Sequence, residues 1–398
     1  MNDGLLIPQG FKFACRAAGL KKSGKPDLGL IVSAVPARCA GVFTRNQVVA
    51  APLQVTAPKI RSGQCQVVLM NSGNANACTG QRGLQDAQTC ARMIAEALTV
   101  PDELVAVAST GVIGVPLPME KLAAQLPRLV EGAGATGVDE LARAIMTTDA
   151  FPKTSGRTIS VGGRECRLLG LAKGAGMIHP DMATMLAFVV TDALVAPAFL
   201  DQALRAAVDR SFNRITVDRD TSTNDMALLL ANGMAENDEI KADTAASDQF
   251  SEALAAILMD LAKMIVRDGE GATKLVRIQV DGAVDNEQAL AAARSVATSA
   301  LVKTAFFGED ANWGRIIAAV GYSGAVVDPD RVNISFDGIR MVESGLGMGA
   351  EQERQASEVL KRAEFTVTVE LGLGSGSAYY FTSDLSYDYV RINADYRT

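Results

Sequence analysis

Thr184 stands in the stretch KGAGMIHPDMATMLAF, Lys173 to Phe188, where its residue type and its neighbours could do covalent chemistry. Lys173, Gly174 and Gly176 open the stretch as a flexible basic loop. Pro180 favours an extended backbone at His179, and Met185 to Thr191 is an apolar, β-prone run. A polar, glycine-bearing segment thus delivers the Ala183–Thr184 junction to the start of a buried strand. A threonine so placed could be a nucleophile whose base is its own α-amine, once the bond before it is cut. Its branched Cβ fixes the direction of the hydroxyl when the backbone is fixed. The competing reading is an ordinary strand threonine beside a turn.

Other loops carry similar pairs of readings. At Thr110-Gly111 a turn competes with a backbone N–H, exposed at the glycine, as donor to an oxyanion, worth about 3–4 kcal/mol in acyl transfer. Glu270, between two glycines, is an exposed loop carboxylate or the partner of a substrate ammonium. Lys173 is a solvated lysine or a clamp for a carboxylate. His179 is a locally bonded loop histidine or a catalyst, and Trp313 a packing residue or a recognition platform.

The exclusions are sharper. His179 is the only histidine, so a histidine-built metal site is not expected. The six cysteines form no CxxC pair and read as reduced, mostly buried small hydrophobes. No metal or organic cofactor is expected. A net charge of −7 without Lys/Arg clusters speaks against nucleic acid and anionic membranes. No apolar run reaches the roughly 18 residues of a membrane span, and the first residues carry no signal-peptide pattern. A cytoplasmic protein is expected. No glycine-rich phosphate loop lies between a strand and a helix.

The elements that must position these residues come in blocks. Leu28–Val35, Gly41–Thr44, Ala50–Val55 and Cys65–Met70 read as β-runs. Leu84, Ala87, Ala91, Ile94 and Leu98 fall at helical spacing. Helices are expected over about 118–131, 137–147, 197–211, 250–265 and 286–303. Residues 157–171 read as a hairpin around Gly162-Gly163, and Phe365–Leu371 alternates as a half-buried strand. Tyr387 and Tyr389 continue that alternation towards Asn393. Blocks of strands and helices, without strict βα alternation, predict a layered α+β fold. A chain of 398 residues holds two or three ordinary domains, or one large layered unit and a smaller one.

The motif Lys173-Gly174…Gly176-Met177-Ile178…Pro180…Met182-Ala183-Thr184-Met185-Leu186 resembles the self-cleavage motif of the ornithine acetyltransferase family, the bifunctional glutamate N-acetyltransferases of arginine biosynthesis. The resemblance extends to Asn71–Ala77, Ser109–Gly114, Thr147-Thr148-Asp149, Asp268–Lys274 and Ile392–Thr398. It implies an αββα sandwich like that of N-terminal-nucleophile enzymes, with a smaller C-terminal α/β part. It implies self-cleavage between Ala183 and Thr184 into chains 1–183 and 184–398, paired as a heterotetramer. Thr184 would be the nucleophile and acetyl carrier, and Thr110 and Gly111 the oxyanion hole. Thr147, Lys173, Thr184, Glu270, Asn393 and Thr398 would contact the substrate, with Thr148 the alternative to Thr147. Asp181 departs from the asparagine expected in many relatives, which bears on the rate of cleavage. The implied reaction moves acetyl from N-acetylornithine to glutamate, and acetyl-CoA as a second donor stays open. An N-terminal-nucleophile aminopeptidase or amidohydrolase would share the self-cleavage and oxyanion hole but pass the acyl group to water. A binding protein that keeps the fold would stay uncut.

Overall fold

The computed structural model describes residues 7–134, 137–179 and 185–395. They form two compact units: one within Met1–Asn213 and Asp220–Ile265, the other within Arg214–Arg219 and Val266–Arg397.

The first unit is built on strands β1 (Phe11–Arg16), β2 (Leu28–Phe43), β3 (Gln64–Asn74), β4 (Val105–Val112), β5 (Lys153–Val161), β6 (Arg164–Lys173) and β7 (Leu186–Thr191). After β8 (Ile215–Thr216), which belongs to the second unit, β9 (Met226–Ala231) completes the set. The mixed sheet runs β4-β3-β2-β9-β7-β6-β5, with β1 paired to β2. Its helices are α1 (Ala51–Ile60), α2 (Gly80–Leu98), α3 (Met119–Glu131), α4 (Val138–Ile145), α5 (Pro197–Arg210) and α6 (Ala245–Arg267).

Successive strand residues point to opposite faces, and the core follows that rule. Leu28, Leu30, Val67, Leu69, Val105 and Val107 pack with α2 and α3 through Cys90, Ile94, Leu122 and Leu126. Ile31, Val68, Met70, Ala106 and Ala108 share a second cluster with Leu141 and Ile145 of α4. β2 pairs with β1 and β3 in its first half and with β9 in its second, and its register against β3 shifts between Val32 and Ala37. Such an irregularity bends a strand. Gly170 lets α6 lie against β6, since a Cβ there would stand 2.5 Å from Ile257 Cγ2.

The second unit uses β8, β10 (Leu275–Ala283), β11 (Asn333–Phe336), β12 (Ile339–Glu343), β13 (Leu346–Gly347), β14 (Glu364–Glu370) and β15 (Gly376–Ser383), ordered β13-β12-β11-β14-β10-β15-β8. Helices α7 (Asn286–Thr298), α8 (Ala300–Phe307), α9 (Trp313–Gly321), α10 (Ala350–Leu360) and α11 (Tyr387–Asp395) belong to it. One sheet face, with Val276, Ile278, Val280, Phe365, Val367 and Val369, packs against the alanines of α7. Each unit is a mixed sheet layered with helices, as expected from the blocks of elements. No helix among the described residues is long and apolar enough to cross a membrane.

Three expectations fail locally. Ala50–Val55 is not a strand but opens α1, which Pro52 starts with its fixed φ. The helix expected over 286–303 breaks at Ser299, whose side chain accepts the Val302 N–H and caps α8. Tyr387 to Asn393 is helical in α11, begun by Ser386, whose Oγ accepts the Tyr389 N–H at 3.4 Å.

Lys303 of α8 is fully buried, its ammonium donating to Thr382 Oγ1 (2.9 Å), Ser383 Oγ (3.1 Å) and the Ser383 carbonyl. Burial pushes the amine down to about 7, against the upward pull of Asp384 and Asp218. Between that value and the roughly 10.4 of an unfolded lysine, the unfolded chain binds the extra proton. Stability therefore rises with pH across this window. Urea titrations at pH 7 and pH 10, made on the Thr184→Ala chain, are expected to show a smaller rise once Lys303→Met is added. An identical rise in both would remove Lys303 as its source.

Candidate active site

The asparagine-rich loop after β3 is held by its own side chains. Asn71 Nδ2 donates to the Asn74 carbonyl (2.8 Å), and the Asn76 N–H donates to Asn74 Oδ1 (2.8 Å). Asn76 sits at φ 47°, a left-handed value that asparagine tolerates. Ser109 Oγ donates to Asn71 Oδ1 at 2.6 Å, tying this loop to the end of β4. Asn224 then donates to both the Ala75 carbonyl (2.6 Å) and the Ser109 carbonyl (2.9 Å). The polar turn before β9 thus locks the β3 and β4 loops together.

Thr110 and Gly111 lie on that locked segment. Gly111 has φ 133°, and a Cβ there would stand 2.5 Å from the Asn74 nitrogen while overlapping the Gly73 carbonyl carbon. Only glycine fits this close approach. Lys173, at the end of β6, donates from Nζ to Thr110 Oγ1 at 3.1 Å. A hydroxyl that accepts from an ammonium still has its own proton to donate. Lys173 is 8% exposed, so it is no solvated surface lysine.

Asp149 organises the other side. Its Oδ1 accepts from the Gly174 N–H (2.7 Å) and from Lys153 Nζ (2.7 Å), and its Oδ2 accepts from the Thr147 N–H (3.0 Å). Burial alone would push this carboxyl up; the Lys173 and Lys153 ammonium groups and the donated hydrogen bonds outweigh it and hold it at about 2. One carboxylate therefore fixes both the Thr147 loop and the backbone beside Lys173.

In the second unit the turn after α6 carries Glu270. It is 7% exposed, not the open loop carboxylate of the bland reading. Asn393 of α11 donates to Glu270 Oε2 at 2.8 Å. Gly271 has φ 67°, and a Cβ there would overlap the Tyr389 nitrogen, so the turn rests directly on α11. Asp384 fastens the following residues by accepting from the Thr273 N–H (2.8 Å), Thr273 Oγ1 (2.6 Å) and the Lys274 N–H (3.0 Å).

The structure gathers Thr110, Gly111, Thr147 and Lys173 in the first unit, and Glu270 with Asn393 in the second. Thr147 and Thr148 are both half-buried. Ala183, Thr184, Asp181 and Thr398 lie outside the described residues. His179 is buried, its carbonyl accepting from Thr221 Oγ1 at 2.8 Å. Trp313 packs beside Gly347, where a Cβ would meet its ring at 2.9 Å. Asn224, and Asp149 as an ionic hub, were not singled out from sequence. The one available signal was Asp149's place beside Thr147-Thr148.

The chain is 63% identical to the arginine biosynthesis bifunctional protein ArgJ of Syntrophotalea carbinolica, over 98% of this chain and 99% of that one. It is 54% identical to the protein of the same name from Geobacter sulfurreducens, over 98% and 99%. A crystal structure of arginine biosynthesis bifunctional protein argJ from Bacillus halodurans is similar at 45% identity and a TM-score of 0.52, covering 54% of this chain and 100% of that one. The chain belongs to the ArgJ family, which it matches over residues 12–398.

Proposed function

We propose that this protein is a self-cleaving acetyltransferase of arginine biosynthesis, moving acetyl from N-acetylornithine to glutamate through acetyl-Thr184. The observation that carries the reading is Lys173 donating to Thr110 beside the forced glycine turn at Gly111. In this reading the Thr110 O–H, whose oxygen already accepts from Lys173, and the Gly111 N–H would serve as the oxyanion pair. The names and high identity of the relatives support the same reading.

Maturation begins when Thr184 Oγ attacks the Ala183 carbonyl, the peptide C–N bond breaks, and the α-amine takes up a proton. Water then hydrolyses the ester, giving chains 1–183 and 184–398. The solved Bacillus halodurans chain, matched end to end by 54% of this one, supports a product of that length. In turnover, Thr184 Oγ attacks the acetyl carbonyl, and the α-amine, with a reference pKa of roughly 7.7–8.0, takes the hydroxyl proton. On collapse the α-ammonium returns that proton to the departing nitrogen, the C–N bond breaks and ornithine leaves. The amine of glutamate then attacks acetyl-Thr184, gives its proton to the α-amine, and the C–Oγ bond breaks as Thr184 Oγ takes that proton back. Lys173 takes the α-carboxylate common to both substrates, Thr147 and Thr398 add polar contacts, and Glu270, steadied by Asn393, meets the ornithine ammonium. Pairing into a heterotetramer and acetyl-CoA as a second donor belong to the same proposal; the bifunctional name of the relatives supports the latter.

The test separates the half-reactions. Acetyl-enzyme should form from N-acetylornithine and discharge to glutamate, with hydrolysis slow in comparison; discharge to water alone would favour an amidohydrolase. Glu270→Gln is expected to weaken the ornithine side by about 1.5–3 kcal/mol, roughly ten- to a hundredfold, with less effect on glutamate. Equal losses in both halves would refute the ammonium role.

A further inference from the structure

We propose that Lys21 is a second cation of the substrate cradle and takes the side-chain carboxylate of the acceptor glutamate, a group N-acetylornithine lacks. The inference rests on the acetyl-transfer reading above.

Lys21 is placed with care by its surroundings. The fully buried Asp27 accepts from the N–H groups of Ala18 (2.6 Å), Leu20 (2.6 Å) and Lys21 (3.0 Å), which sets the turn before β2. From that turn the Lys21 stem runs over Gly73, where an added Cβ would stand 3.3 Å from Lys21 Cγ. Gly73 is the register partner of Gly111 across the β3–β4 pair. The stem therefore lies beside the same turn that Lys173 reaches through Thr110. The Lys21 ammonium donates to the Pro26 carbonyl and to the Ala144 carbonyl, both at 2.9 Å. Ala144 belongs to α4, whose end leads into Thr147.

An ammonium has three donors. Two are occupied by carbonyls, and the third has no partner among the described residues. Lys21 is half-buried, so a ligand can reach it. Its electrostatic neighbours are Asp27, Asp149, Lys173 and Lys25, and burial pushes its amine down to about 8 against the two carboxylates. Lys153 faces inward and is bound to Asp149, so it cannot serve a ligand. Lys173 reaches Thr110, and the stem of Lys21 passes Gly73, the register partner of Gly111. A dicarboxylate can use both lysines; an amino acid ending in an ammonium can use one.

The experiment uses the full chain with Lys21→Gln, which removes the charge and keeps an amide donor, and Lys21→Arg. Self-cleavage and acetyl-enzyme formation from N-acetylornithine are measured first, then discharge to glutamate and to glutamine. Lys21→Gln should cleave itself and take up acetyl like the parent. Its KM for glutamate should rise about tenfold to a hundredfold, the loss expected for one charge-assisted hydrogen bond, with kcat little changed. The preference for glutamate over glutamine should shrink by the same factor, and Lys21→Arg should recover most of it. An unchanged preference, or equal losses in both half-reactions, would overturn the proposal. Failure of the parent to form acetyl-enzyme would instead overturn the acetyl-transfer reading on which it rests.

Discussion

Thr184→Ala is expected to yield one uncut chain of about 42 kDa without acetyl transfer. Both roles assigned to Thr184 need its hydroxyl: it attacks the Ala183 carbonyl in maturation and carries the acetyl group in turnover. Alanine can do neither, and removing a covalent nucleophile costs on the order of a millionfold in turnover. Thr184→Ser keeps the hydroxyl and should still cut, with slower turnover because serine's Cβ is less restricted. A denaturing gel with N-terminal sequencing and an acetyl-enzyme mass measurement decide both points. Two fragments from Thr184→Ala, or an acetyl adduct on another residue, would sink the assignment.

Asp149→Asn should have the largest effect on stability among the described residues of the site. It keeps the side chain's shape but takes the Asp149 charge away from the fully buried Lys153 ammonium. Breaking one partner of such a pair costs about 3–5 kcal/mol. The double variant with Lys153→Met removes the stranded cation and should recover part of that loss. Urea unfolding in the Thr184→Ala background, where one uncut chain is present, gives the coupling. Strictly additive losses would mean that the two side chains do not stabilise each other. The carboxylate contribution has a defined pH window. It is fully present above the roughly 3.9 of an unfolded aspartate and is lost as pH falls through the folded value of about 2.

Periodicity made much of the fold legible. The spacing of Leu84, Ala87, Ala91, Ile94 and Leu98 marks α2, and the alternation of Phe365, Val367 and Val369 marks β14, because burial on one face imposes those periods. The Gly162-Gly163 turn marks the β5–β6 hairpin. Alternation misled at Tyr387 and Tyr389, where α11 buries no residue and its start depends on a cap at Ser386. The candidate residues were named where chemistry is written locally, in the Lys173–Thr184 stretch and at Thr110-Gly111, and of these the described residues include the contact between Lys173 and Thr110. Asp149 and Lys153 stand only four residues apart, but that spacing says nothing of burial, and the bonds from the Gly174 N–H to Asp149 and from Lys21 to the Ala144 carbonyl join residues far apart in the chain. The burial of Glu270 escaped for the same reason, since α11 and Gly271 create it.

The order of strands in the first sheet has a consequence for refolding. β7 and β9 lie between β2 and β6, although both follow the proposed cut and their neighbours precede it. Cleavage would leave the halves interleaved in one hydrogen-bonded sheet, held by pairing instead of by a peptide bond. Before the cut, refolding is a unimolecular search within one chain. Afterwards it requires two separate chains to meet and thread two central strands back into place, at a rate that falls with dilution. The mature protein would then persist through the slowness of its unfolding, and its lifetime on heating would be set by a rate, not by a reversible equilibrium.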